Sequence, residues 1–232
     1  MLVTHIAGYG LVSPEFSENR RFLYNIYPNF GSESTDQKPT AEGKWARQGW
    51  LAIKDNLSKS ILAETKKGNY SHVIMASMGW DNDQVESINN YNALIGNLVA
   101  AAQRADKQGE PFRPLLIGFT WPSVWGWPSW FDLGQLLQKL ISYPVKADDA
   151  DEIGITIANW LVNDLGRQIK AQAAKTKIIA IGHSFGARLI SRAVFSGPFL
   201  KGLGAKSNES PVDLLVGLQG AFSVNRFIAG EG

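Results

Sequence analysis

No cysteine occurs in these 232 residues, and there are only three histidines, His5, His72 and His183. The first absence removes disulfide frameworks, cysteine-ligated zinc, iron–sulfur clusters and thiol nucleophiles together. The second means that any reaction needing an imidazole must draw on one of three positions. An excess of charge of one sign is lacking too, since 23 Lys and Arg face 21 Asp and Glu for a net charge of +2. Such a balance guarantees no basic face for a phosphate backbone, so no nucleic-acid partner is expected. Also missing is a long unbroken apolar run. Thr4 and His5 interrupt the opening segment early, so no export signal is visible and a cytoplasmic location is the default. The longest uncharged stretch, Pro114 to Phe131, is punctuated by Gly118, Pro122, Gly126 and Pro128, which a membrane-spanning helix rarely carries together.

What is present suits a packed domain. Hydrophobic residues make up 44% and aromatic residues 11%, enough for a real core in a single domain over residues 1–232. Short aliphatic runs alternate with helical spacing. Leu2–Ala7, His72–Ala76, Leu115–Thr120, Lys177–Ile181 and Val212–Leu218 read as strands. Between them, apolar residues recur every three or four positions: Trp50, Ile53, Leu57 and Ile61; then Val85, Ile88, Tyr91, Ile95, Leu98 and Ala102; then Ile153, Ile157, Trp160, Leu161, Leu165 and Ile169. Asp148, Asp149 and Asp151 open the third of these helices, where the helix dipole favours anions. Ala187–Phe195 reads as a fourth helix. The alternation predicts a three-layer α/β/α sandwich with a mainly parallel sheet, and right-handed crossovers place functional loops at the carboxyl ends of the strands.

One such end carries Gly182-His183-Ser184-Phe185-Gly186, a G-x-S-x-G pattern between a strand and a helix. Alone the pattern is weak, but a strand directly before it and a helix directly after it are what a nucleophile elbow requires. The glycines are needed because strand and helix approach too closely there for side chains. The turn lifts the Ser184 hydroxyl above the sheet, and the helix start adds positive partial charge where an oxyanion would develop. The competing reading is an ordinary tight turn in which Ser184 caps the helix.

With these residues in view, the chain resembles the α/β-hydrolase superfamily, within it bacterial hydrolases of unknown substrate with an HGW-type loop, a tryptophan-proline-serine turn and a GHSxG elbow. Three segments carry the resemblance in order: Met75 to Asp83, Gly118 to Ser123, and Ile181 to Arg188. With the helices between them it spans about residues 70 to 220. It implies a serine nucleophile at Ser184, with an oxyanion hole formed by the backbone N–H of Phe185 and that of Gly79 or Trp80. It further implies a small-molecule or lipid-like ester substrate, and a chemistry with no cofactor and no metal. One position departs: this chain has Met78 where the family carries histidine before glycine, a side chain whose role there is structural, so backbone donors can survive the change. Asp81 and Asp83 read more simply as turn and capping residues than as catalytic ones.

Trp121, Trp125, Trp127 and Trp130 place four of the eight tryptophans beside the expected rim. They line either a pocket or lid, or the top of the core. A serine hydrolase also needs a base and a group to orient it. In α/β-hydrolases the chain order is nucleophile, acid, histidine, and no histidine follows Ser184. His183 is expected to pack or hydrogen-bond beside the elbow, His72 to lie at the opposite edge, and His5 to be buried or near that opposite edge. Asp213 opens the last strand at the wrong end. Two explanations stand: either the last strands, with acid and histidine, lie beyond Gly232, or the fold has lost its base and serves as a binding protein. On both, this chain alone is expected to be a weak or inactive hydrolase.

Overall fold

The computed structural model describes residues 2–8, 55, 57–67, 70–79, 84–105, 112–121, 147–200 and 209–223, with the backbone alone for 2–8, 84, 85, 88 and 198–200. Five strands form one sheet: β1 (Leu2–Gly8), β2 (His72–Ser77), β3 (Pro114–Thr120), β4 (Lys177–His183) and β5 (Leu214–Leu218). Their order across the sheet is β1-β3-β2-β4-β5. β3, β2, β4 and β5 run parallel, and β1 pairs antiparallel with β3. The central runs are aliphatic at nearly every position because both faces are covered, so nothing in them alternates with polar residues. All seven residues of β3 are buried.

Consecutive side chains on a strand point to opposite faces, and the helices divide accordingly. Helix α1 spans 57–67, α2 is Gln84–Ala105, α3 spans 147–172 and α4 is Phe185–Leu200. Tyr91 and Ile95 of α2 bury Ile74, Ala76, Leu116 and Ile181 on one face. Leu57 and Ile61 of α1, Leu161 and Leu165 of α3, and Leu189 and Ile190 of α4 join Val73, Met75, Ile117 and Ala180 in the core of the other. Each fully buried aliphatic side chain contributes roughly 1.5–3 kcal/mol through area removed from water. From β2 the chain steps to β3 on one side and then returns past β2 to β4 on the other. Right-handed crossovers therefore put α2 and α3 on opposite faces, and loops leave β2 and β4 in opposite directions. The carboxyl ends of β2 and β4 thus flank a topological switch point, where open α/β sheets bind ligands.

Three details differ from the periodicity. β1 runs opposite to the parallel strands, so Leu2 lies opposite Thr120 at the carboxyl edge and His5 faces Gly118 mid-strand. Of the two places expected for His5, buried or near the far edge with His72, the second is thereby corrected, because hydrophobic spacing carries no direction; the His5 side chain lies outside the described residues. The third stripe is not one uniform α-helix: Gly154–Ala158 and Trp160–Leu165 are π-helical turns. There buried Asn159 and Asn163 both donate to the Ala193 carbonyl of α4, at 3.2 and 2.7 Å. β5 begins at Leu214 rather than Val212, and its Leu214 and Leu218 are about half exposed. Among the described residues no helix is long and apolar enough to cross a membrane.

The aspartates at the head of α3 do more than answer a dipole. Asp151 accepts from Arg188 Nε and Nη2 at 2.9 and 2.7 Å, and Arg192 joins at 3.1 Å, tying α3 to α4. Partial burial works to raise the Asp151 pKa, but the hydrogen bonds from Arg188 and Arg192 outweigh it and hold the carboxyl below the usual carboxylate range. A depressed folded-state pKa gives stability that is complete above the unfolded-state value, ~4, and is lost as pH falls through the folded-state one. Asp151→Asn should therefore cost about 1–2 kcal/mol at pH 7, between the ranges for exposed and buried pairs. The difference from wild type should shrink in urea melts taken below pH 4, and an unchanged gap at acid pH would count against the ion pair.

Candidate active site at the elbow

β4 ends where α4 begins, and only Ser184 stands between them. Its φ is 53°, in the left-handed region that a side chain other than glycine occupies at a cost of about 1–3 kcal/mol. The strain is held in place by backbone hydrogen bonds. Ser184 N–H donates to the Leu218 carbonyl at 2.9 Å, and the Ser184 carbonyl accepts from Ala187, Arg188 and Ala221 N–H groups. Both strand β5 and the turn after it therefore fix the elbow.

The glycines explain how close these segments come. A Cβ on Gly186 would overlap the Ser77 carbonyl oxygen, and one on Gly182 would overlap the backbone of Ala187. A Cβ on Gly79 would lie 2.7 Å from Ser184 Cβ and 3.3 Å from its Oγ. The backbone after β2 thus packs directly on Ser184, and Ser184, Gly79, Gly182, Gly186 and Phe185 meet at one point. Phe185 opens α4, so its N–H belongs to the turn where the dipole favours negative charge. Its ring is buried and packs edge-on against Trp121, with centroids 6.5 Å apart. Trp121 is itself buried, with its indole N–H donating to the Met78 carbonyl at 3.1 Å. Trp80, Asp81, Asp83, Trp125, Trp127 and Trp130 lie outside the described residues.

Of the two described imidazoles, those of His72 and His183, neither hydrogen-bonds to Ser184. His183 Nε2 shares a 3.0 Å hydrogen bond with Gln219 Oε1. His72 starts β2, paired with Lys177 at the far edge, and its Nδ1 lies 2.8 Å from Ser71 Oγ. Burial holds its pKa below the ordinary histidine value, with Asp213 opposing. Asp213 also sits at that far edge, where its carboxylate accepts from Lys170, Lys177 and the Ile178 N–H. Its partial burial would raise its pKa, but these partners, Lys170 foremost, lower it below the usual range. Gln219, which spacing and composition do not single out, has φ 47° and is the second left-handed non-glycine residue among those described. The signal available in the sequence was its position before Gly220, after a strand, where a turn is expected.

A cavity of about 310 Å³ opens beside the elbow on the α2 face, lined by Met78, Asn90, Leu94, Ile181, His183 and Leu218 among others. A larger groove of about 820 Å³ lies at the opposite edge of the sheet, with Lys66, Arg113, Lys175 and Lys177 around His72. The larger volume is thus far from Ser184, and the smaller one lies beside the strained turn. Among the described residues no group of three His, Cys, Asp or Glu is placed to hold a metal ion. No family model, no curated protein and no solved structure matches this chain.

The glycine geometry gives a contrast to measure. Gly186→Ala must displace backbone rather than a flexible side chain and should lose about 1–3 kcal/mol in urea unfolding. Gly96→Ala, in α2 with nothing within 4 Å of the new methyl, should gain roughly 0.5–1 kcal/mol. Equal effects at the two sites would contradict this packing.

Proposed function

We propose that the chain is a serine hydrolase of the α/β-hydrolase type, acting on carboxylic esters. In this reading Ser184 Oγ bonds to the acyl carbon and the alcohol leaves with the serine proton. Water then cleaves the acyl-enzyme to release the acid. Phe185 N–H and the backbone at Gly79 and Trp80 would stabilise the oxyanion. The observation that carries the reading is the left-handed φ of Ser184 at a strand–helix junction with the Gly79 backbone packed on it. A strained serine at the switch point of a parallel sheet is where a nucleophile would be both exposed and pre-organised.

A second reading has its own support. His183 is bonded to Gln219, His72 lies at the far edge, and His5 is mid-strand on the antiparallel edge strand. With no imidazole joined to Ser184 among the described residues, the same cleft would serve a catalytically silent binding protein.

A fluorophosphonate probe separates the two. The hydrolase reading expects one adduct, mapped by mass spectrometry to Ser184 and absent in Ser184→Ala, whereas an unlabelled wild-type chain would leave the binding reading. That second reading expects ligand binding to survive Ser184→Ala and to weaken in Trp125→Ala or Trp127→Ala.

A further inference from the structure

The loop that meets Ser184 is held by a device separate from the elbow. Met78 links the end of β2 to Gly79, and both of its backbone polar groups are engaged by side chains. Its N–H donates to Tyr91 Oη at 3.2 Å, and its carbonyl accepts from Trp121 Nε1 at 3.1 Å. Tyr91 Oη in turn donates to the Phe119 carbonyl at 2.6 Å. One hydroxyl on α2 therefore bridges the carboxyl ends of β2 and β3, which flank each other in the sheet.

The site for that hydroxyl is built into the strand beneath it. A Cβ on Gly118 would lie 2.7 Å from the Tyr91 ring, so the ring seats against β3 only because residue 118 is glycine. The side chain is fully buried, and burial pushes its pKa well above the ordinary tyrosine value. The phenol stays protonated, so the donor to Phe119 persists throughout the working pH range. A buried hydroxyl between two strand ends is demanding to satisfy; this one bonds the Phe119 carbonyl of β3 and the Met78 N–H, which lies in the segment that reaches Ser184.

We propose that Tyr91 is a positioning residue for Ser184: by fixing Met78 it sets the Gly79 backbone against the serine and so preserves the oxyanion side of the site. The assignment rests on the serine-hydrolase reading. It gives Tyr91 no contact with substrate, and its action passes through Met78. Trp121 shares the task from the other side of the same peptide segment.

The test is the second-order rate of fluorophosphonate labelling at Ser184, measured well below each variant's Tm. Tyr91→Phe keeps the ring and deletes the hydroxyl. Labelling should fall about tenfold, short of the ~10²–10³ that losing an oxyanion donor outright costs. Thr176→Val supplies a stability control, since it removes the Thr176 Oγ1 hydrogen bond to the Tyr70 carbonyl at the far edge. It should lower Tm and label at the wild-type rate. A Tyr91→Phe chain that loses Tm but labels like wild type has only a structural tyrosine, and the proposal is overturned. Should Tyr91→Phe fail to fold, Trp121→Phe carries the same test, with a comparable drop expected and an unchanged rate overturning the shared role. A wild-type chain that takes no label at all refutes the serine reading itself, an outcome distinct from equal labelling of wild type and variant.

Discussion

The close approach of α4 to the carboxyl ends of β2 and β4 is the constraint on which the rest of the site depends. Any side chain at Gly182 or Gly186 would strike backbone, of Ala187 in one case and of Ser77 in the other. Backbone does not yield as a flexible side chain does, so the contact demands glycine at both positions. Once the helix starts that close, the single residue between strand and helix has to take a left-handed φ, and that residue is Ser184. The strain is supported from outside the turn, by the Leu218 carbonyl and the Ala221 N–H. β5 therefore takes part in the site although it supplies no side chain to Ser184.

The two edges of the sheet divide polar work between them. At the amino edge, Asp213, Lys170, Lys177, Thr176 and Ser71 hydrogen-bond to one another or to backbone in or just before the strands, which sets the starts of β2, β3, β4 and β5 in register. At the carboxyl edge, tyrosine, tryptophan and glycine hold loops by fewer and more buried contacts. A buried hydrogen bond is costly to leave unmade, so such contacts specify one loop conformation more sharply than exposed ion pairs can. The Asp151–Arg188 pair joins the division by clamping α3 to the first turns of α4, four residues past Ser184.

Much of this was legible from residue order. The aliphatic runs ending in the Ser77 and His183 segments mark β2 and β4 to within two residues, because strands buried on both faces must be continuously apolar. The elbow shows itself through its two glycines, whose spacing matters only where strand and helix touch. Other features were invisible for definite reasons. The direction of β1 escaped because a period-two pattern reads the same both ways. Tyr91 counted as one more apolar position in a helical stripe, since its spacing reports the ring and says nothing of the hydroxyl. Gln219 gave only a faint turn signal, because its conformation is imposed by the elbow it abuts.

By itself, then, the sequence determined the layered α/β arrangement, the parallel core strands and the serine at a glycine-flanked turn. Each of these follows from local spacing and from the steric needs of the backbone. The tertiary structure alone decided which strands neighbour one another, which way the edge strand runs, and which backbone lies against Ser184. Those outcomes depend on contacts between residues far apart in the chain, such as Tyr91 with Phe119 and Ser184 with Leu218. A pattern along the sequence records which face a side chain seeks, and the packed fold chooses what it meets there.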